Sequence, residues 1–249
     1  VILSANSTLS ASAGPVTFNS TLNSPADRNL TITTSGDTTF NGVVGGSQAL
    51  ASLTTDGGGN TIINTSNIWT NGTLGQVYND NVLLGANVTF DATNSGTKPI
   101  YFGGTVDSSG SARTLTARTS GTTTFNGLVG GGLELASITT NAGGSTVINT
   151  SAINTTGAQT YNDAVTLGTT SNLISTTNDI IFASTIDGGN NGLTITNAGA
   201  SSQVSGVISN LASLTKAGTG TLTLSAANTY DGTTNINAGT LIVTNAAGL

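Results

Sequence analysis

Residues 34–66 of the chain, TSGDTTFNGVVGGSQALASLTTDGGGNTIINTS, return at 119–151 as TSGTTTFNGLVGGGLELASITTNAGGSTVINTS, without a gap and with 23 of 33 positions identical. A chain that copies itself at this level over an offset of 85 residues is built by stacking one unit, so the repeat decides the architecture. The copying extends beyond the matched block. VTFNSTLN (16–23) is echoed by IYFGGTVD (100–107) and IIFASTID (180–187), and VYNDNVLLG (77–85) by TYNDAVTLG (160–168) and, more loosely, NTYDGTTNI (228–236). LASLTTDGG (50–58) is echoed by LASITTNAG (135–143) and LASLTKAGT (211–219). No Pro/Ser linker or charge run divides the copies. The expected organisation is one continuous body over residues 1–249, in about three modules at roughly 16–99, 100–179 and 180–249.

Within a module, apolar residues alternate with small polar ones in short runs: LTIT (30–33), TTFNGVV (38–44), ALASLTT (49–55), NTIINT (60–65), QVYND (76–80), NVTFDAT (87–93) and PIYFGGTV (99–106). Period-two alternation bounded by Gly, Asn, Asp and Ser is the mark of many short strands. The helix formers Glu, Lys, Gln and Arg are nearly missing, with charged residues at only 6%, so helices should be few. Two all-β architectures fit this spacing. In a parallel β-helix, or β-solenoid, three runs make one coil, a module supplies about four coils and the chain about 12. In tandem sandwiches, each module folds alone into about seven strands. The absence of linkers favours the solenoid, as does a single tryptophan, which cannot be the core of every module, and so do Gly and Asn at nearly every corner. Connections between parallel strands are overwhelmingly right-handed and no six-residue periodicity is present, so the fold expected is a right-handed parallel β-helix.

The same composition removes several function classes. With no His and no Cys, serine-type nucleophiles lack their usual base and thiol chemistry is out of reach. The five basic residues Arg28, Lys98, Arg113, Arg118 and Lys216 are scattered, which argues against nucleic acid. No apolar run is long enough to span a bilayer as a helix, so no membrane insertion of this segment is expected. Most of the eleven acids stand beside Gly, Asn or Ser at expected corners, where Asp shapes turns. Asp80 and Asp163 occupy one module position, as do Asp107 and Asp187, and a residue that recurs with the module serves the fold more readily than a catalytic site. The glycines at 42–46, 57–59, 130–132, 187–189 and 218–220 lack the helix and GK[ST] of a phosphate loop and the tandem nonapeptides of a calcium β-roll. No catalytic, cofactor or metal residue is therefore assigned. Tyr78, Tyr161 and Tyr230 recur and read as packing landmarks. Trp69 has no counterpart in the second module, where the local sequence is two residues shorter, and is the one candidate for a surface contact, on an exposed loop.

Residues 218–244, GTGTLTLSAANTYDGTTNINAGTLIVT, resemble the autotransporter-associated β-strand repeat through Gly218, Thr219, Gly220, Leu222, Leu224, Asn228, Thr229, Tyr230, Gly232, Thr233, Gly239 and Leu241. The upstream phrases TTFNG, LASLTT, TIINT and YND resemble, more loosely, the repeats of large bacterial adhesins of filamentous-haemagglutinin type. The resemblance implies a secreted passenger with a right-handed β-helical stem, outside or on the surface of a Gram-negative bacterium. The chain opens directly into a strand-like segment at Val1 and reads as a piece of a longer product. The function expected is structural and non-enzymatic: a rigid stem of an adhesin or extracellular fibre. Its partners would be further copies of itself joined end to end, or surface and matrix glycans. The alternative is a carbohydrate- or ice-binding β-helix presenting outward Thr and Asn.

Overall fold

The computed structural model describes residues 1–93 and 96–245; residues 94–95 and the end of the third module, 246–249, lie outside the described residues. Every strand pairing is parallel and in sequence order, each strand lying on the one a turn earlier. The described residues contain no helix, and the chain winds through about 11 turns of a β-solenoid with three strand positions per turn. Face 1 begins Ser7–Ala11, Asn29–Thr34, Leu50–Thr55; face 2 begins Val16–Phe18, Thr38–Phe40, Asn60–Ile63. Face 3 starts as single bridges from Leu22 to Val44 to Ile68, then continues through Val88–Ala92 and Thr114–Thr119. A turn consumes 23 residues from Ser7 to Leu30, from Leu30 to Leu53 and from Leu53 to Gln76, and 19 from Thr146 to Val165. The corners absorb these differences.

Alternation along each strand sends one residue in two to the centre. Leu30, Ile32, Leu53, Phe40, Ile63, Phe90 and Leu115 are fully buried, while Thr31, Thr39 and Thr89 between them stay partly exposed. Because the strands are parallel and in register, like side chains pile up along the axis. Phe18 stacks on Phe40 with ring centroids 5.2 Å apart on face 2, Tyr78, Phe102 and Phe125 stack on face 1, and Tyr161 stacks on Phe182 at 4.9 Å on face 3. Such offset contacts between rings add to what burial of their area contributes.

Several corners are closed by asparagine ladders. Asn41 Nδ2 donates to Asn19 Oδ1 and Asn64 Nδ2 to Asn41 Oδ1, and Asn149 Nδ2 donates to Asn126 Oδ1. Both ladders stop at a glycine, Gly85 and Gly168, where a Cβ would fall 2.0 and 2.4 Å from the last asparagine oxygen. Glycine is needed there because the chain passes directly over the ladder's end.

The module and the turn are out of step. Thr38–Phe40 lies on face 2, yet its copy in Thr122–Phe125 lies on face 1; Tyr78 is on face 1 and its copy Tyr161 on face 3. From one copy to the next the chain passes eleven strand positions, counting the bridge at Val44. A module is thus three and two-thirds turns, not the four that the run spacing suggests. The aromatic stacks show the result directly, moving from face 2 to face 1 to face 3 along the rod. Part of the discrepancy comes from runs that alternate smoothly but bend. TTFNGVV breaks after Phe40, and Val44 already belongs to the next face. At Gly42 between them, a Cβ would lie 2.3 Å from the Ser20 carbonyl carbon, so only glycine lets the corner stack on the corner below.

Candidate functional site

Two sets of polar side chains stand out against a wall of aliphatic residues. The first set recurs with the module and lies inside. Gln76 is fully buried on face 1 and reaches across the core, its Nε2 donating to the carbonyls of Ile68 and Asp91 on face 3, both at 2.9 Å. Its Oε1 accepts from the Tyr78 hydroxyl at 3.0 Å. Gln159 repeats the arrangement one module later, from face 3 to the face 2 carbonyls of Ile153 and Ile174, and accepts from Tyr161. Each glutamine thereby ties two walls of the solenoid together and satisfies a buried phenol. Sequence reasoning marked the tyrosines as landmarks but passed over the glutamines, although the shared Gln-x-Tyr spacing was visible.

Asp80 and Asp163 belong to the same set. Asp80 closes the corner between faces 1 and 2, its Oδ1 accepting from Thr55 and Thr61 hydroxyls, both at 2.9 Å. Asp163 does the same between faces 3 and 1, with Thr140 at 3.0 Å and Thr146 at 2.7 Å. Burial pushes the Asp80 carboxyl up to about 6 against the pull of its two threonines, with Asp56 adding a little in the same direction, and burial raises Asp163 also. Each carboxylate bonds threonines of its own corner and the two lie at different corners. This is the geometry of a structural tie, as their recurrence suggests.

The second set does not recur, and it faces outward on face 3. Trp69, Asp91 and Arg118 are register partners on three successive strands. Trp69 was expected on an exposed loop. It lies instead within the strand Asn67–Tyr78 and is half-buried, because the two extra residues of this copy extend the strand around the corner rather than forming a loop. Arg118 pairs with Asp91 at 3.3 Å, the one ion pair among the described residues, while Thr93 donates to the other carboxylate oxygen through its hydroxyl at 2.7 Å and its amide at 3.0 Å. Behind the row, Asn71 Nδ2 donates to Asp27 Oδ1 at 2.7 Å, and the buried Lys98 ammonium donates to the Asn71 carbonyl. Burial lowers the Lys98 pKa, and the nearby Asp27 and Asp91 carboxylates oppose that. Asp91, Arg118, Lys98 and Asp27 were each counted in the sequence, but nothing in their spacing showed that they converge.

Groups of three or more His, Cys, Asp or Glu able to hold a metal do not occur among the described residues. The openings along the rod are shallow notches at corners, such as that lined by Thr97, Pro99, Ser120 and Gly121.

Residues 214–243 match the family described as passenger-associated-transport-repeat. The matched stretch covers the last strands of faces 2 and 3, from the second half of Ile208–Ala217 through Thr240–Val243. Together with the solenoid, the match fits an autotransporter passenger with β-helical repeats, and both point to a structural rather than a catalytic role. No curated protein and no solved structure matches the chain.

Proposed function

We propose that this chain is a stem segment of an autotransporter passenger, held outside a Gram-negative cell as a rigid spacer. The observation that carries this reading is the uninterrupted stacking of three parallel ladders that run into the passenger-type repeat. Each turn contacts only its neighbours, so length can be added without changing the cross-section. With charged residues at only 6%, the coat is polar and sparsely charged, which suits a spacer. The outward rows support this better than an ice-binding face. On face 3 the row reads Asn67, Thr89, Thr116, Thr139, Thr160, then Ile181 and Gln203, so its threonine run ends after four strands.

The test is export and shape. Fused to a translocator barrel in a Gram-negative host, the chain should reach the surface of intact cells and resist added proteinase K. Negative-stain images of the purified chain should show rods of about 50 Å, from about 11 turns at ~4.8 Å each. Retention inside the cell, or images of beads on a bending string, would overturn the reading.

A second property follows from the end turns. Ile2, at an isolated bridge to Asn23, is 70% exposed, and Ile236, on a strand paired along one edge only among the described residues, is 56% exposed. Open parallel edges template further pairing, and we extend the proposal to end-to-end association of the isolated chain with a second copy. Monomers alone at the highest concentration of a dilution series would refute that extension while leaving the stem reading intact.

A further inference from the structure

Residues that build this solenoid come back with the module. Gln76, Tyr78, Asp80 and Arg28 have their counterparts in Gln159, Tyr161, Asp163 and Arg113. The outward row on face 3 does not come back. The positions matching Trp69, Asp91 and Arg118 are Asn154, Ile174 and Thr33, and those matching Asp27 and Lys98 are Ala112 and Asn178. The solenoid forms equally well where all five are missing, so winding the chain does not require them. Their convergence is also out of proportion to the composition, since the single Trp of the chain and two of its five Lys and Arg residues meet at one patch.

The chemistry of the patch is specific. Trp69 supplies a large, half-buried ring with an apolar face and an N–H edge. One strand further, Asp91 offers carboxylate acceptors, and one strand beyond that Arg118 offers guanidinium donors, most of them unused by its single ion pair. The row spans two strand spacings, about 10 Å. Its charges cancel: Asp27 and Asp91 against Lys98 and Arg118. A balanced patch has no long-range pull on an acidic polymer, whereas a neutral polyol can use acceptors and donors side by side. Asp91 is already held by Thr93 and Arg118 on a paired strand, so little side-chain freedom would be lost on binding.

We propose that Trp69, Asp91 and Arg118 form a binding site for an uncharged saccharide, one sugar ring lying on the indole and the hydroxyls of the next spanning the ion pair. The site adds a ligand to the rod and does not rest on the stem reading, since a solenoid of any role could carry it. Trp69 is also the only tryptophan, so its emission reports on the site alone.

The full chain should be titrated with maltohexaose, cellohexaose, mannohexaose and chitohexaose, followed by tryptophan emission and by calorimetry. At least one should shift the emission saturably, with an affinity unchanged between low and high salt. Trp69→Phe and Arg118→Gln should each weaken that binding, read by calorimetry, by roughly tenfold or more, with melting temperatures close to that of the parent chain. Three results would overturn the site: no response to any of the four sugars up to millimolar concentration; equal binding by the two variants; or binding only of acidic glycans such as heparin that disappears as salt is raised.

Discussion

At the scale of single residues, the chain is unusual in burying polar groups that hold its walls together. Asp80 shows the consequence for pH. Its folded carboxyl titrates near 6, above the ordinary value of about 3.9 expected for the unfolded chain. The folded form binds the proton more tightly, so this group favours folding in acid, and its contribution is lost as pH rises from about 4 through about 6. Asp80→Asn keeps an oxygen acceptor for Thr55 and Thr61 and removes the charge. The variant should melt at about the parent temperature at pH 4 and higher at pH 7, by the equivalent of about 1–2 kcal/mol; an unchanged difference across that range would contradict the assignment. Gln159→Leu should act in the opposite sense. It strands the Tyr161 hydroxyl and the Ile153 and Ile174 carbonyls, and denaturant unfolding should show a loss of about 2–4 kcal/mol. The sequence disclosed Asp80 and Asp163 as structural because they recur. Gln76 and Gln159 recur just as visibly, but the sequence did not show what they bind, because their carbonyl partners lie on another face that only winding brings close.

At the scale of strands and corners, the alternating runs were legible and their ends were not. LTIT, ALASLTT and NTIINT fall in the strands Asn29–Thr34, Leu50–Thr55 and Asn60–Ile63. PIYFGGTV, by contrast, is two strands on two faces, Ile100–Phe102 and Val106–Ser108. Alternation continues across such a corner because both sides still point a residue inward, so periodicity carries no mark of the bend. The mark is steric and lies in the turn below. A Cβ at Gly104 would stand 2.5 Å from the Asp80 carbonyl oxygen. The corners therefore differ sharply in tolerance. Gly75 has φ +64 and its Cβ would fall 2.0 Å from the Pro99 carbonyl oxygen, whereas Gly110 has φ +78 with open space around it. Gly75→Ala should cost about 2–4 kcal/mol in urea unfolding, while Gly110→Asn, which tolerates that φ, should stay within about 0.5 kcal/mol. Trp69 was misplaced for the same reason: two extra residues looked like a loop, but they lengthen a strand that crosses a corner.

At the scale of the whole molecule, the solenoid class was readable from the repeat, from the Gly and Asn corners and from the want of linkers. The count of turns per module was not, because it depends on where the chain bends. That the turn, and not the module, is the unit of folding can be checked by excision. Ile100 is the register partner of Thr123, so deleting residues 100–122 removes one whole turn. The shortened chain should still melt in one cooperative transition by circular dichroism. Deleting 100–111 removes about half a turn, brings face 3 strands over face 1 and should abolish that transition. The outward row on face 3 was legible only as Trp69; its partners came into view when three strands far apart in sequence were laid side by side.

Because a module occupies eleven strand positions and its copies already stand on different faces, a parent gene that gains or loses one whole copy by recombination keeps every ladder intact, since each strand then lies beside the counterpart of its former neighbour. The part beyond the change would be swung by a third of a revolution about the axis as well as moved along it. Three such events would restore the original bearing. In the stem proposed, copy number would therefore set two coordinates of anything held at its far end, how far it stands from the cell and which way it looks.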